Sequence, residues 1–539
     1  MPAIAARARL VNADLVILGG RIWNRGTLAS GISGVAIRDG RVLATGSDAE
    51  MRVLAGPGSR ILEAHGSTVT AGLTDAHIHL MSWARARTEA DLLGAASATD
   101  AVQQLRSFAA AHPGNDALVG RGWDANAWGR APDRAPLDEA FPDRPVLLYS
   151  RDFHNLWVNG AALRAARIGP TTPDPIGGTV VRDGAGEPTG LLREHAMRLA
   201  SGIERDAARS DAERLEAAVG SLLARGITMV HDFEGAEAMR LLRAQSDREW
   251  RIRVLMHLPH PALDAAITLG LESGLGDDRF RIGGVKIFAD GTLGSRSAAM
   301  LEPYDGTSET GEDLISPAAL ADAVRAARRA GLSVAIHAIG DRAVRSSLDA
   351  IEAASDRHPA PRLPSRLEHV QVLHPDDLPR FRRLGVAASM QPSHCVSDIP
   401  LAARYWASRR ERTYPWRTLK EAGALLAFGS DAPVEPPDPA AGLSAALTRS
   451  ARDGEAWVPG ECLDLDATLT AYTEGPARLA GMWPRLGTLE AGALADVVVW
   501  NTDLHGVQAR EIDAVFPHCV IQDGCLVHEH RPERVGASS

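Results

Sequence analysis

The chain has 539 residues, of which 45% are hydrophobic and 23% are charged, and its formal net charge is -10. This composition is typical of a folded globular enzyme and excludes a disordered or fibrous protein. The acidic balance argues against a nucleic-acid partner, because binding to phosphates requires a basic face.

Polar residues interrupt the apolar residues near the start of the chain, and no apolar run is long enough to span a bilayer. We therefore expect a cytoplasmic protein that has no membrane partner, and a homodimer is the default expectation for its assembly. The cysteines show neither metal-type nor disulfide-framework spacing, which indicates reduced thiols. They are Cys395, Cys462, Cys519 and Cys525.

Short β-type runs separated by glycine turns begin the chain, at residues 15–18, 34–37 and 41–44. Similar runs return near its end, at residues 495–500 and 519–521. Patterns of this kind favour small antiparallel sheets. Strands from the two ends of a chain can complete one sheet, so we predict a small β-sandwich domain formed by residues 1–66 plus 487–539.

The middle of the chain, residues 67–486, alternates strand patterns with helix patterns, for example helices at residues 211–225 and 317–330. Such alternation predicts an α/β fold with a parallel sheet, and eight units predict a closed (β/α)₈ TIM-like barrel. The predicted strands are residues 68–79, 227–233, 252–258, 285–290, 333–339, 366–372, 386–391 and 425–430.

The connection between the first two of these strands is far longer than one βα unit needs. We predict that residues 84–205, approximately, form an insertion that covers the barrel mouth as a lid subdomain. The alternative is a structural elaboration that does not contact substrate. The insertion contains Trp123, Trp128 and Trp157.

The first predicted strand ends in a pair of histidines, His77 and His79. Residues i and i+2 of a strand point to the same side, so both imidazoles can reach one metal ion. An H-x-H pair alone is a weak signal in a chain with 18 histidines. The pair becomes good evidence for a metal site only if the fold brings other ligands to the same place.

Four other predicted strands carry such a side chain at or near one end: Lys286, His337, His369 and Asp431. Barrel enzymes assemble their active sites at the carboxyl ends of the strands. A single histidine at a strand end is usually structural, but five strands that deliver these side chains together predict a metal centre. We expect Glu368, which precedes His369, to point to the opposite face of its strand and to serve structure.

Several sequence motifs resemble those of the amidohydrolase superfamily, and specifically its YtcJ-like branch, amidohydrolase family 3, which includes N-substituted formamide deformylases. These motifs lie at residues 72–79, 285–296, 337–341 and 429–433. The resemblance covers nearly the whole chain, including the long insertion. It supports the barrel and the end-to-end β-domain, and it constrains the substrate only loosely.

The donor set suits two divalent metal ions, with zinc as the default expectation. We expect His77, His79 and Asp431 to hold one ion and His337 and His369 to hold the other. A lysine ammonium would repel both ions, and the resemblance implies that Lys286 is instead carboxylated to a bridging carbamate. Arginine cannot form a carbamate, and lysine occurs in this chain only at Lys286 and Lys420. The alternative is an uncarboxylated Lys286 in a salt bridge, with one metal ion.

The site predicts a hydrolase of a small-molecule substrate, and the resemblance implies that the bond cleaved is a non-peptide C–N bond of amide or N-formyl type. A hydroxide that bridges the two ions would be the nucleophile, and Asp431 would shuttle its proton to the leaving nitrogen. Two alternatives stay open from the sequence. The same metal centre could hydrolyse esters or carbamates, or the chain could be an inactive scaffold or binding protein.

Other residues are candidates for contact with the substrate. His154, in the insertion, is a candidate catalytic residue that could reach the substrate or its oxyanion. Asp290 and Arg296 follow Lys286 on the next loop and could orient the bridging group or the substrate. Four tryptophans could line an apolar pocket or simply form the core of the lid: Trp83, Trp123, Trp128 and Trp157.

Overall fold

Eight parallel strands form the centre of the computed structural model, which describes residues 12–114, 116–203, 210–246, 252–451 and 454–530. Each strand pairs with the next one along the chain, and a parallel bridge between Ile78 and Ala432 joins the two edges of the sheet. The predicted (β/α)₈ barrel is therefore confirmed. Its strands are β1 (Leu73–Ile78), β2 (Ile227–Asp232), β3 (Arg253–Pro259), β4 (Phe280–Phe288), β5 (Val334–Ala338), β6 (Arg366–His369), β7 (Ala387–Met390) and β8 (Leu426–Phe428).

The first predicted strand, residues 68–79, is wrong as a single element. It consists of two strands, Thr68–Ala71 and β1, which belong to different sheets. Gly72 lies between them, and a side chain at this position would collide with Thr228. The chain therefore passes from one sheet to the other at a residue where Thr228 leaves little room for a side chain.

Helices connect and cover the barrel strands. The helix Asp211–Ala224 begins at Ser210, whose side chain accepts a hydrogen bond from the backbone of Glu213 in a capping box. No helix within the described residues is both long and apolar enough to cross a membrane. The barrel helices are Leu80–Ala86, Asp211–Ala224, Ala236–Ser246, Leu263–Thr268, Pro317–Arg329, Asp341–Ser355, Leu378–Leu384, Pro392–Tyr405, Trp416–Glu421, Pro439–Thr448, Leu465–Tyr472 and Glu474–Leu479.

A β-sandwich packs beside the barrel, with strands from both ends of the chain. Leu15 and Ile37 of one sheet share a buried core with Val497 and Ile521 of the other. The predicted runs near the start form their own sheet. Near the end, Val497–Trp500 pairs with Thr68–Ala71 and Pro517–Gln522 pairs with Val497–Trp500. The first sheet contains Arg41–Gly46, Gly34–Arg38, Ala13–Leu18 and Ala55–Glu63, and the second contains Cys525–Glu529, Pro517–Gln522, Val497–Trp500, Thr68–Ala71, Arg21–Asn24 and Thr27–Leu28.

The long connection after β1 folds as a separate sheet with its own helices. Residues 115 and 204–205 of the predicted insertion, like residues 1–11 and 531–539 of the predicted β-domain, lie outside the described residues. The sheet contains Gly178–Arg182, Pro188–Glu194, Asn155–Val158, Val146–Ser150, Leu118–Trp123 and Ala90–Asp91. The helices are Ala98–Ala111, Ala125–Trp128, Ala135–Ala140 and Gly160–Ala165.

This insertion contacts the loops at the carboxyl ends of the barrel strands. Arg151 forms a salt bridge of 2.8 Å with Glu435, which follows β8. Thr292, which follows β4, donates a hydrogen bond of 3.1 Å to Asp152. We refer to the insertion as the lid, because these contacts hold it over the barrel mouth.

Candidate metal centre

The two histidines that end β1 lie beside one carboxylate. The Nε2 atoms of His77 and His79 are 3.5 and 3.4 Å from Oδ1 of Asp431. These distances are longer than typical hydrogen bonds. Two ligand atoms bound to one zinc ion at about 2.0–2.2 Å in a tetrahedral arrangement lie roughly 3.4 Å apart. The donor set and its spacing therefore fit a divalent ion.

The other predicted histidines lie in the same place. One ligand atom each of His77, His369 and Asp431 lie within 4.8 Å of one another. The ring centroids of His337 and His369 are 4.6 Å apart. The compact group includes His369, which we expected to hold the second ion, so the two predicted ion positions are adjacent.

Hydrogen bonds to neighbouring residues determine which ring nitrogens face the centre. Nδ1 of His77 lies 2.7 Å from Glu368, and Nδ1 of His369 lies 2.8 Å from Gln391. Both residues are thereby left with Nε2 as the available ligand atom. In His337 the arrangement is reversed, because Nε2 lies 3.0 Å from the carbonyl oxygen of Gly291 and Nδ1 is available.

Glu368 does not point away from this centre, so the expectation of an opposite face was wrong. His369 adopts a left-handed backbone with φ of 75°, which ends β6 and turns the His369 side chain toward the mouth. Glu368 is completely buried, contacts His77 and pairs with Arg366. Burial opposes ionisation, but Arg366 and His77 outweigh it and hold the pKa of Glu368 well below its usual range.

Lys286 lies on β4 in a buried, partly aromatic environment. Its Nζ is 4.7 Å from the ring centroid of Phe233 and 4.8 Å from that of Phe288. Burial lowers the pKa of Lys286 to about 8, against the opposing charges of Glu368 and Asp431. A larger share of the amine is therefore neutral near pH 7 than in a solvated lysine, and only the neutral amine can react with CO₂.

The loop that carries Asp431 is held by Asp75. The backbone N–H and the hydroxyl of Ser430 donate hydrogen bonds of 2.9 and 2.6 Å to Asp75. A side chain on Gly429 would collide with the backbone of His77. Asp431 itself adopts φ of 59°, a strained conformation for a residue other than glycine, and such strain is concentrated at functional sites.

His154 reaches this centre from the lid. Its Nδ1 lies 2.7 Å from a carboxylate oxygen of Glu194, and its ring centroid is 6.1 Å from that of His337. Burial opposes protonation, but the Glu194 carboxylate outweighs it and raises the pKa of His154 to about 9. The lid therefore presents a cationic imidazole to the barrel mouth at neutral pH.

Asp290 and Arg296 lie on the loop after β4, but both are engaged by protein groups. Asp290 accepts backbone hydrogen bonds of 2.8 Å from Ala299, 3.0 Å from Ile339 and 2.8 Å from Gly340. Arg296 pairs with Glu309 at 2.7 Å. Asp290 thus fixes the loops around the centre, whereas the partly exposed Arg296 is held by Glu309.

The tryptophans of the lid form its core and do not line an apolar pocket. Trp123, Trp128 and Trp157 pack on one another with ring centroids 5.7 to 6.1 Å apart. Each indole N–H donates to a backbone carbonyl of the lid. Trp83 is also buried, in the barrel core. Trp83, Trp123 and Trp157 are therefore covered by protein, and the partly buried Trp128 packs against the same lid core.

A further histidine, His394, was not predicted from the sequence and lies in the helix Pro392–Tyr405 that follows β7. Its Nε2 is 4.0 Å from Oδ2 of Asp431, and its ring stacks parallel to that of His369 with centroids 6.1 Å apart. The available signal was its position three residues after the predicted strand 386–391. It was overlooked because only residues at strand ends were considered.

Comparison with known proteins identifies relatives over nearly the whole chain. A family model described as an amidohydrolase family matches residues 60–528. The chain is 33% identical to a protein named putative amidohydrolase YtcJ from Bacillus subtilis, over 92% of this chain and 96% of that protein. It is 28% identical to an N-substituted formamide deformylase from Arthrobacter pascens, over 96% of this chain and 98% of that protein.

A solved structure has the same fold. It is described as an uncharacterized metal-dependent hydrolase from Pyrococcus horikoshii OT3, and it is 27% identical to this chain. The match covers 96% of this chain and 100% of that chain, with a TM-score of 0.74.

Proposed function

The chain belongs to the amidohydrolase family, whose model matches most of its length, and from this membership we propose that it hydrolyses a non-peptide C–N bond, of the amide or N-formyl type, on a hydrophobic amine. Its relatives support a metal-dependent hydrolase. The observation that carries the proposal is the convergence of ligand atoms from His77, His369 and Asp431 in one buried group beneath the lid.

The residues of the centre would hold two divalent ions. His77, His79 and Asp431 would bind one ion, His337 and His369 would bind the other, and a carboxylated Lys286 would bridge them. When bound, the ions would supply a water of lowered pKa and would polarise the substrate carbonyl. The intact ligand set argues against an inactive scaffold.

Asp431 has the position and the charge that a proton shuttle needs. Burial opposes its ionisation, but His77 and the other histidines outweigh this effect and keep the pKa of Asp431 well below its usual range. Asp431 is therefore ionised and has a free carboxylate oxygen that would accept a proton as water attacks. It would then donate this proton to the leaving nitrogen, which departs as the neutral amine.

His154 would act on the opposite side of the scissile bond. As a cation held by Glu194 it would donate a hydrogen bond to the carbonyl oxygen, where negative charge develops during the attack. The contact with Glu194 leaves Nε2 of the His154 ring as the donor that faces the mouth.

The hydrophobic character of the amine is supported by one aromatic side chain. Phe288, at the end of β4, is 37% exposed although its ring centroid is only 5.2 Å from that of His337. An apolar substituent of the substrate would pack on this ring and remove it from water. The formamide deformylase relative supports the N-formyl type of bond.

A panel of N-formyl amines, N-acyl amines, lactams, esters and carbamates, incubated with metal-loaded protein, tests the proposal. We expect turnover of N-formyl or N-acyl amines with hydrophobic substituents and loss of this turnover in the Asp431→Asn variant. Turnover of esters or carbamates alone would contradict the C–N assignment. Full turnover by Asp431→Asn would contradict the proton shuttle.

A further inference from the structure

One segment of the barrel mouth is filled by a side chain that the proposed function does not use. Strand β7 lies between β6, which ends in His369, and β8, which precedes Asp431. No predicted metal ligand comes from β7. The helix that follows it, Pro392–Tyr405, instead brings His394 into the space between those two residues.

His394 is a buried polar group with an unused nitrogen. Its side chain is 9% exposed, and its Nε2 has no hydrogen-bond partner among the described residues. Buried polar nitrogens almost always have a partner. The distance of 4.0 Å to Oδ2 of Asp431 is too long for a hydrogen bond. His394 is therefore arranged to contact a group that the protein itself does not supply.

His394 lies at the edge of the metal centre and outside its most compact group. That group, whose ligand atoms lie within 4.8 Å of one another, contains His77, His369 and Asp431, whereas His79, His337 and His394 are not part of it. The two carboxylate oxygens of Asp431 also face different neighbours. Oδ1 lies 3.5 and 3.4 Å from Nε2 of His77 and His79, whereas Oδ2 lies 3.9 Å from Nδ1 of His369 and 4.0 Å from Nε2 of His394.

We propose that His394 is a substrate-contacting residue that forms a hydrogen bond through Nε2 with the leaving-group side of the scissile bond. This inference rests on the proposed function. In the proposed function Asp431 delivers its proton to the leaving nitrogen, so a side chain beside Oδ2 of Asp431 lies next to the same part of the substrate. His394 and His154 thereby hold the two sides of the bond, the leaving group and the carbonyl oxygen.

The kinetic test uses metal-loaded His394→Ala and a series of N-aryl formamides whose anilines differ in basicity. We expect kcat/KM to fall on the order of 10²-fold, with the largest loss for the poorest leaving groups. His394→Gln, which keeps a donor and an acceptor, should recover part of the loss. Unchanged kcat/KM, or an equal loss for all leaving groups, would overturn the inference.

Metal content separates a substrate contact from a ligand. His394→Ala should retain the same number of ions per chain as the wild type, and a loss of metal would overturn the inference. The matched control is His358→Ala, because His358 follows the helix Asp341–Ser355 at the end of the barrel away from the mouth. The control should change neither metal content nor kcat/KM.

A binding experiment decides the inference even if no C–N substrate is turned over. Benzohydroxamate carries a nitrogen where the leaving nitrogen would lie, and its binding to metal-loaded protein can be measured by calorimetry. We expect His394→Ala to bind this probe roughly tenfold more weakly, as for the loss of one hydrogen bond. Equal affinity would overturn the inference, whereas an inactive wild type would contradict only the proposed function.

Discussion

Nδ1 of His77 lies 2.7 Å from a carboxylate oxygen of Glu368, and both side chains are buried in the barrel interior. The contact fixes the tautomer of His77, so that Nε2 faces Asp431. A carboxylate behind a ligating histidine orients the ring and increases its basicity. Glu368 is thus a support for the metal centre, although it would not bind an ion itself.

The first prediction concerns this support. Glu368→Gln should weaken zinc binding by roughly 10- to 100-fold, because the neutral amide no longer orients and polarises the His77 ring. Competition with a chromophoric chelator measures the affinity. Glu490→Gln, at an exposed carboxylate paired with Arg25, is the control and should bind zinc as the wild type does. Wild-type affinity in Glu368→Gln would contradict the assigned role.

The second prediction concerns the bridging ligand. Lys286→Ala should reduce the metal content from about two ions per chain to about one, because the second ion loses the anion that bridges it to the first. Protein prepared with ¹³C-labelled CO₂ should show a carbamate carbon by NMR only when Lys286 is present. The other lysine, Lys420, is exposed and provides the control variant Lys420→Ala. Two ions in Lys286→Ala would exclude the carbamate.

The third prediction concerns pH. With its pKa raised to about 9 by Glu194 against the effect of burial, His154 is cationic below this pH and loses its proton above it. kcat should therefore fall as the pH rises through about 9. Glu194→Gln removes the negative charge, so this fall should move to lower pH, whereas the exposed lid variant Glu187→Gln should leave it in place. An unchanged alkaline limb in Glu194→Gln would show that another group titrates.

The fourth prediction concerns Phe288, the exposed aromatic residue at the end of β4. Phe288→Ala should reduce kcat/KM for N-benzyl substrates roughly tenfold relative to N-methyl substrates, because the larger substituent loses an aromatic surface that it would bury. Phe516 is similarly exposed, at 38%, but lies in the β-sandwich region, so Phe516→Ala is the matched control. Equal losses of kcat/KM for both substrates would show that the N-substituent does not pack on Phe288.

The barrel could be predicted because strand periodicity and helix patterns are local. All eight strands were placed, and the ligands at their ends followed from the rule that barrel sites lie at carboxyl ends. The break at Gly72 was missed, because the collision with Thr228 depends on a residue that is distant in the chain. A local sequence pattern cannot predict a contact between residues that are distant in the chain.

The site residues that lie at strand ends could be predicted, and those that depend on local backbone geometry or enter from helices could not. Glu368 was assigned to the wrong face because strict alternation fails where His369 adopts a left-handed backbone. His394 was missed because it enters the mouth from a helix. The lid tryptophans could not be assigned from sequence, because whether an aromatic residue lines a pocket or a core depends on its packing partners.

The metal content of protein purified without chelator, measured together with its hydrolytic activity, tests whether this chain is a two-metal C–N hydrolase. We predict about two divalent ions per chain, loss of activity on an N-formyl amine when they are removed, and recovery when zinc is restored. Protein that contains no metal and does not bind added zinc would contradict this prediction.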